Sequence, residues 1–272
     1  RLADRGIRQL ILHNVDNAAA NAFDPARLGF HARRQLAMTL TVVPRRHVRE
    51  KVGLAVYNRR TDRVDVVEYS VCPRSLAEAT DPATGQPLFH LAHINTNLVA
   101  VSAVRADLPP TLYTDKKVLV GDRFVASSTF EMLNQHLTRL IEPARVGVLL
   151  ADRDAFFLPT KSVSGEDSLE TTMAALGAQG RDMLQGLGAT VAPSARIECD
   201  PCLGNRVQDW SSAGIGADWV VGDEARLLCG VRHGIDGCPP HQSGFRMDPG
   251  SSFLVQAESP YGNVAFDKAT RA

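Results

Sequence analysis

Features that mark several protein classes are missing from this 272-residue sequence. It has no excess charge of one sign, because thirty basic residues balance thirty acidic ones, and this argues against a general nucleic-acid binder. No apolar run approaches the roughly 20 residues that span a bilayer, and no signal peptide is visible. We therefore expect a protein with no nucleic-acid or membrane partner and a cytoplasmic location.

A disulfide framework is also missing, because the five cysteines are few and odd in number for a chain of this length. A C-x-x-C pair followed by a distant pair is nevertheless the arrangement of small zinc modules. The candidate zinc ligands are Cys199, Cys202, Cys229, Cys238, His233 and His241. Pro201 lies inside the C-x-x-C pair and the later spacings are irregular, which favours buried or free thiols.

Residues 1–188 alternate helix-like with strand-like segments, and a hydrophobic content of 44% is enough to bury a core. Asp24 is a predicted N-cap, because the proline that follows it suits the first position of a helix. The segments 52–58 and 64–70 are the expected strands of a hairpin. Apolar spacing over 127–141 predicts a helix. The predicted class is a mixed α/β domain.

Residues 189–272 have a different character. Short β-like pieces alternate there with glycine, proline and aspartate, and none of them has helical periodicity. Turns at such short and even spacing are typical of a parallel β-helix or of another turn-rich β module. We predict a second, β-rich domain over this part of the chain.

Asp16 directly follows the first apolar run, "LILHNV". Burying a carboxylate is costly, so this one should bind a group, cap a turn or reach water. Ligands of open α/β sheets bind beyond the ends of strands, where an aspartate is placed to hold a divalent cation such as Mg²⁺. The alternative is an aspartate that accepts hydrogen bonds from the backbone of its own turn.

Four further residues carry side chains that suit a phosphorylated sugar. Glu68 ends the second hairpin strand, where a carboxylate either accepts hydrogen bonds from sugar hydroxyls or is simply solvated. Asn95 and Asn97 offer neutral amide groups that suit a carbohydrate, although helix capping explains an asparagine here equally well. Lys161 follows a rigid Leu-Pro pair and is either a phosphate partner or an ordinary surface lysine.

The order of these segments resembles the UDP-sugar pyrophosphorylase family, which includes UTP–glucose-1-phosphate uridylyltransferases and UDP-N-acetylhexosamine pyrophosphorylases. The segments "VDN", "FDPARLGF" and "VVEYS" are more similar to the N-acetylhexosamine branch, and "INTN" and "FFLPTKS" to the glucose branch. The resemblance covers most of residues 5–165 and touches the tail at "FRMDPGSSFLVQ". It implies a partial nucleotide-diphospho-sugar transferase domain, which is Rossmann-like, followed by a β-helix module.

The resemblance also implies an activity and roles for the candidate residues. The activity is a uridylyl transfer that makes a UDP-sugar and pyrophosphate from UTP and a sugar 1-phosphate, with glucose 1-phosphate and N-acetylglucosamine 1-phosphate as the expected substrates. Asp16 matches the aspartate that binds Mg²⁺, and Lys161 matches the lysine at the phosphates, so both are candidate catalytic residues. Glu68 and one of Asn95 or Asn97 match the sugar contacts.

One departure from the family qualifies these expectations. The glycine-rich nucleotide loop, of the form G-G-x-G-T-R, precedes the "VDN" segment in the family, and nothing in this sequence matches it. The chain begins with Arg1 and resembles the C-terminal part of such an enzyme, so a segment upstream is expected. The alternative function is a non-catalytic sugar-phosphate-binding or assembly module. The β-rich domain is a possible site of homo-oligomer formation.

Overall fold

The computed structural model describes residues 2–104, 107–200, 206–212, 218–231 and 246–257. The chain divides into two compact units, Arg1–Pro159 and Thr160–Ala272. We predicted a boundary after residue 188. The boundary lies earlier because the helix at Leu169–Gly186 packs against the strands that follow it. Within the described ranges, no helix combines the length and the apolar character needed to cross a membrane.

The first unit is built around a six-stranded sheet. Its strands run in the order β4-β3-β5-β2-β8, and β1 also pairs with β5. Only β2 and β8 pair in parallel, and the remaining pairs are antiparallel. The hairpin of β6 and β7 lies outside this sheet. The strands are β1 (Gln9–Leu12), β2 (Met38–Pro44), β3 (Gly53–Asn58), β4 (Arg63–Val67), β5 (Leu91–Ala100), β6 (Thr111–Val120), β7 (Arg123–Glu131) and β8 (Val146–Leu150).

The helices of the first unit are short. The longest is α1 (Pro25–Arg33), and the Asp24 carboxylate caps it by accepting from the backbone N–H groups of Ala26 and Arg27, which confirms the predicted cap. The predicted hairpin is also confirmed, by β3 and β4. The remaining helices are α2 (Arg74–Ala77), α3 (Arg153–Phe156) and four 3-10 helices at Ala3–Arg5, Val101–Ala103, Asn134–Arg139 and Pro143–Arg145.

The helix that we predicted over 127–141 is wrong. Its first part is strand β7, in which Thr129 pairs with Tyr113 and Phe130 pairs with Leu112 of β6. Its second part is the 3-10 helix Asn134–Arg139. Apolar residues at helical spacing were misleading here, because the segment pairs with the preceding strand in a hairpin whose two-residue turn is Gly121 and Asp122.

The core of the first unit follows from the position of β2. This strand lies between β5 and β8 and is buried from Met38 to Val43, and it carries apolar residues with Thr39 and Thr41 between them and no charge. Leu40, Val66 and Val99 pack with Leu137 of the 3-10 helix in one cluster. The same sheet holds β1 and β4, after which Asp16 and Glu68 follow, and β5, which contains Asn95 and Asn97.

The second unit combines one long helix with two parallel three-stranded sheets. Helix α4 (Leu169–Gly186) begins with a capping box in which Ser168 and Thr171 bond each other's backbone N–H groups. Its Gly180 lies so close to Ile197 that an added Cβ would be 2.8 Å from the isoleucine Cγ2. The other elements are β9 (Thr190–Val191), β10 (Arg196–Cys199), α5 (Val207–Ser212), β11 (Val220–Val221), β12 (Arg226–Val231), β13 (Arg246–Met247) and β14 (Ser252–Ala257).

The two sheets are β10-β12-β14 and β13-β11-β9, and all their pairs are parallel. Val191 pairs with Val221, which in turn pairs with Met247, so residues of one type stack in a buried column. The β-rich prediction therefore holds in its coarse form. Helix α5 was not predicted, and the described residues do not show a solenoid.

Candidate functional site

Strand β5 is irregular at its centre. Leu40 and Val42 of β2 pair with Asn97 and His93, so one residue of β2 faces three residues of β5. The middle residue of the three, Asn95, has a φ of 50°, in the left-handed region that asparagine tolerates better than most residues. The predicted alternative, in which this asparagine caps a helix, is wrong because it lies within a strand. Bulges of this kind occur often beside functional sites.

The opposite edge of β5 leaves a gap at the same level. Strand β1 pairs with residues 97–100 and β3 pairs with residues 92–93. Among the described residues, 94–96 therefore have no strand partner on that edge. Loops and side chains, not a neighbouring strand, have to satisfy the polar groups of this stretch.

A cluster of side-chain amides fills this region. The Asn97 Nδ2 group donates to Asn95 Oδ1 at 3.2 Å and to Asn134 Oδ1 at 2.6 Å. Asn134 Nδ2 donates in turn to the same Asn95 oxygen at 3.0 Å. Asn97 is fully buried, whereas Asn95 and Asn134 are only half-buried. The cluster thus has a buried root at Asn97 and an accessible face at the other two asparagines.

His93 completes the buried end of the cluster. Asn97 uses both amide hydrogens as a donor, so its oxygen faces His93 and accepts from Nε2 at 2.9 Å. Complete burial lowers the pKa of His93 to about 4, although the hydrogen bond to Asn97 opposes this change. A neutral imidazole with its proton on Nε2 is therefore the form that fits the cluster at neutral pH.

The accessible end of the cluster reaches the loop that carries Asp16. Asn95 Nδ2 donates to Asn14 Oδ1 at 2.5 Å across 81 positions of sequence. Asn17 anchors the same loop, because its Nδ2 donates to the Phe156 carbonyl and its Oδ1 accepts from the Leu158 N–H. The structure therefore brings the predicted sugar contact Asn95 against the loop of the predicted metal ligand.

Asp16 itself is half-buried in the turn after β1. Among the described residues, its carboxylate makes no hydrogen bond and no ion pair. The alternative role, bonding the backbone of its own turn, is filled by Asn17, whose oxygen accepts from the Ala19 N–H, and by Asn21, whose oxygen accepts from the Phe23 N–H. No group of three or more potential metal ligands surrounds Asp16 within the described ranges.

Glu68 directly follows β4 and is half-buried. Its Oε1 accepts from Gln135 Nε2 at 2.5 Å. Burial raises the pKa of the Glu68 carboxyl, the Gln135 hydrogen bond lowers it, and the charge of Glu131 raises it further. Gly53 leaves room for this carboxylate, because a Cβ there would lie 3.4 Å from Glu68 Oε1 and 3.0 Å from Val66 Cγ1.

Lys161 belongs to the second unit. Its Nζ pairs with Asp167 Oδ2 at 3.1 Å, and 42% of its side chain is exposed. The backbone N–H of Lys161 also donates to the Asp167 carbonyl at 2.7 Å. The lysine therefore has a local carboxylate partner, and its predicted role at the phosphates stays a prediction.

Two residues of the amide and carboxylate cluster were missed in the sequence. Asn134 and Gln135 lie in the segment for which we predicted a helix, where neither residue had a reason to point towards Glu68 or Asn95. Residues 123–131 do not alternate regularly between polar and apolar in the sequence, so the signal that could have shown a strand before them is the Gly-Asp turn at 121–122.

Two of the candidate zinc ligands lie side by side. Cys199 and Cys229 are paired in register on β10 and β12. Their hydrogen bond, together with burial, raises the pKa of the Cys229 thiol, which opposes formation of a thiolate ligand. The other candidates, Cys202, Cys238, His233 and His241, lie outside the described residues, so the zinc hypothesis stays a prediction.

The fold of the chain has a counterpart among solved structures. It matches the crystal structure of a uridine diphosphate N-acetylglucosamine pyrophosphorylase from Trypanosoma brucei with a TM-score of 0.63 and 21% identity. The match covers 78% of this chain and 46% of that structure. At this level of identity the likeness shows a shared fold, which is that of a UDP-sugar pyrophosphorylase. No family model matches the sequence.

Sequence similarity adds a more particular relationship. UDP-N-acetylglucosamine diphosphorylase 2 and diphosphorylase 1 of Arabidopsis thaliana are 34% and 33% identical to this chain over 85 residues. That segment is 31% of this chain and 17% of each relative. The predicted resemblance to the UDP-sugar pyrophosphorylase family is confirmed. The chain matches less than a fifth of these curated relatives and less than half of the solved structure.

Proposed function

We propose that this chain carries the sugar and metal site of a UTP–sugar-1-phosphate uridylyltransferase. Such an enzyme makes a UDP-sugar and pyrophosphate from UTP and a sugar 1-phosphate, here glucose 1-phosphate or N-acetylglucosamine 1-phosphate. The observation that carries the proposal is the hydrogen bond between Asn95 and Asn14, which joins the predicted sugar contact to the loop of Asp16. The relatives named above support it, because they are diphosphorylases of UDP-N-acetylglucosamine.

The reaction needs little covalent help from the protein. An oxygen of the sugar phosphate attacks the α-phosphorus of UTP in line, and pyrophosphate leaves. The protein therefore acts by positioning the reactants and by neutralising the charge that develops between them. We assign the second task to Asp16, through a cation, and to the ammonium of Lys161.

The donors at Asp16 fit Mg²⁺ in a particular way. Its carboxylate is half-buried and has no partner among the described residues, and the polar side chains beside it in the chain, Asn14 and Asn17, are neutral amides. One carboxylate does not fill the coordination shell of Mg²⁺, which commonly takes its other oxygen ligands from substrate phosphates and water. When bound, the ion would supply charge neutralisation at those phosphates.

For the sugar, we assign direct contacts to Glu68 and Asn95. Both side chains are half-buried, so each has part of its surface available to a ligand. Asn97 is 0% exposed and its amide group already has three partners. Its role in this proposal is therefore to orient Asn95, not to touch the sugar.

We propose further that the paired strands of the second unit are coils of a parallel β-helix. The stacked pairs of β9, β11 and β13 and of β10, β12 and β14 support this, because each coil would contribute one strand to each sheet. Homo-oligomer formation through this unit and a cytoplasmic location complete the proposal. Light scattering of the purified 272-residue chain tests the assembly.

Binding of a sugar 1-phosphate tests the proposed function directly. We expect the 272-residue chain to bind N-acetylglucosamine 1-phosphate or glucose 1-phosphate in isothermal titration calorimetry, more tightly when Mg²⁺ and UTP are present. The variant Asp16→Asn is compared with the control Asp122→Asn, in the tip of the β6–β7 hairpin, because both substitutions change the net charge by the same amount. Failure of the chain to bind any of these compounds contradicts the proposal.

A second candidate function is binding without catalysis. The observation that favours it is the lack of a match to the glycine-rich nucleotide loop in this sequence. This candidate predicts that the chain binds the sugar phosphate but releases no pyrophosphate from UTP. A coupled pyrophosphate assay on the same preparation separates the two candidates.

A further inference from the structure

One short helix supplies a hydrogen bond to each of the two proposed sugar contacts. Asn134 and Gln135 are consecutive residues at the start of the 3-10 helix Asn134–Arg139. Asn134 donates to Asn95 Oδ1, and Gln135 donates to Glu68 Oε1. Gln135 is 4% exposed, so it is nearly closed to solvent. Two consecutive amides thus reach the two proposed sugar contacts.

These bonds determine which hydrogen-bonding groups remain for a ligand. The Asn95 oxygen accepts from both Asn97 and Asn134, and one of its amide hydrogens goes to Asn14. The second N–H of the Asn95 amide therefore remains as a donor for a ligand. At Glu68, Gln135 occupies one oxygen, so the other oxygen remains as an acceptor. The site therefore presents one fixed donor and one fixed acceptor.

We propose that Asn134 and Gln135 are positioning residues that determine specificity by fixing Asn95 as a donor and Glu68 as an acceptor. The inference rests on the proposed function, because it takes these two groups to be the sugar contacts. The ligand chemistry that fits is a sugar with an oxygen acceptor, either a hydroxyl or an acyl carbonyl, facing Asn95 and a hydroxyl donor facing Glu68. In this arrangement both residues act through Asn95 and Glu68, and Gln135 is itself nearly closed to solvent.

Nearly isosteric variants test the two positions. Asn134→Asp cannot donate to the Asn95 oxygen and sets a carboxylate against it, so the orientation of the Asn95 amide should be less fixed and should depend on its bonds to Asn97 and Asn14 alone. Gln135→Glu removes the donor to Glu68 and sets a second carboxyl against it. Each variant should bind N-acetylglucosamine 1-phosphate and glucose 1-phosphate about tenfold more weakly, with the ratio of the two affinities changed in Asn134→Asp.

The matched control is Arg139→Ala. Arg139 lies on the same 3-10 helix, but its side chain pairs with Asp65 at the surface. This variant should keep wild-type affinity for both sugar phosphates. Asn134→Leu and Gln135→Leu are the second pair of variants, and the melting temperature of every variant is measured so that loss of folding is not mistaken for loss of positioning.

The outcomes separate this inference from the proposed function. If the wild-type chain binds a sugar phosphate and the Asn134 and Gln135 variants bind it equally well, the positioning role is overturned and the proposed function stands. If the wild-type chain binds neither sugar phosphate, the proposed function is overturned. The positioning itself is then read without ligand, from the side-chain NH₂ resonances of Asn95 in NMR spectra. A shift in Asn134→Asp supports it, and unchanged resonances overturn it.

Discussion

The two units differ in what they bury. Most of the buried polar and charged side chains among the described residues lie in the first unit, and those of the second unit are Ser168, Thr172 and Asp209. The second unit is held by repeated parallel pairs and by an apolar core that includes Trp210 and Trp219. The difference indicates that the first unit has a specific polar arrangement to maintain, whereas the second has mainly a stack of strands to maintain.

The costs of the two solutions also differ. A stacked apolar column loses stability in proportion to the volume removed from it. A buried polar cluster loses stability when one partner goes, because the remaining donors and acceptors are then left without water or protein. The two units should therefore respond differently to substitutions. Four measurements test this difference, from the largest expected effect to the smallest.

Removing Trp219 should give the largest loss of stability. Its side chain is fully buried in the core of the second unit, so Trp219→Ala should lower the free energy of unfolding by about 4 kcal/mol. Denaturant titration measures the change, and amide hydrogen exchange should locate it in the strands after residue 189. Leu228→Ala, at a side chain that is 40% exposed on β12, is the control and should cost less than about 1 kcal/mol. Equal losses would contradict the described packing.

Acid should weaken the first unit through His93. Its pKa in the folded chain is about 4 against an ordinary 6.5, so the neutral form is favoured by folding. The resulting stability is fully present above pH 6.5 and is lost as the pH falls towards 4, with a total of about 3 kcal/mol. His93→Gln keeps a donor to Asn97 without titrating. The difference in unfolding free energy between wild type and this variant should shrink over that pH range, and a constant difference would contradict the buried neutral imidazole.

Replacing Asp16 should remove activity without removing the fold. Under the proposed function, Asp16→Asn should lower Mg²⁺-dependent UDP-sugar formation by about 100-fold, because the charge that would hold the cation is lost. The free energy of unfolding should change by less than about 0.5 kcal/mol, since the carboxylate has no partner among the described residues. Asp122→Asn serves as the charge-matched control. Full turnover in Asp16→Asn would mean that this aspartate is only a surface group of the loop.

Lys161 should show the smallest effect of the four. Lys161→Ala removes an ammonium whose side chain is 42% exposed and paired with Asp167, so little stability should be lost. If the lysine also reaches the phosphates, as proposed, the turnover of UDP-sugar formation should fall about tenfold, as expected for one lost charged hydrogen bond. Lys161→Arg should restore part of it. Unchanged turnover in Lys161→Ala would leave the lysine with its structural pair alone.

Local rules predicted the parts of the fold that local interactions decide. Asp24 and the proline after it predicted the start of α1, and the two β-branched segments predicted the β3–β4 hairpin. The segment 127–141 failed because the hairpin turn at Gly121 and Asp122, which pairs Phe130 with Leu112, was not recognised in the sequence. The boundary between the units failed because α4 packs on strands that follow it.

The candidate site could be predicted in its residue types but not in its connections. Asp16, Glu68 and Asn95 carry chemistry that is visible in the sequence. That Asn97 is buried under Asn95, and that Asn134 and Gln135 lie behind the site, depends on a bulge and on non-local strand pairs. Single-sequence patterns contain the alternation of a strand but not the position where that alternation is interrupted.

The interruption in β5 has a consequence for insertions and deletions. Three residues of β5 face Thr41 where a regular strand would place one, so the strand carries two extra residues. Two is the repeat of side-chain alternation, so residues on both sides of the bulge keep their faces. Losing one residue among 94–96 would move the side chains of half of the strand to the opposite face of the sheet. Losing two would restore a regular ladder and abolish the left-handed Asn95. The number of residues at this point of the chain can therefore change only by two if the faces of the strand are to be kept. The first loss of two residues would leave a regular sheet without the left-handed Asn95 of the candidate site.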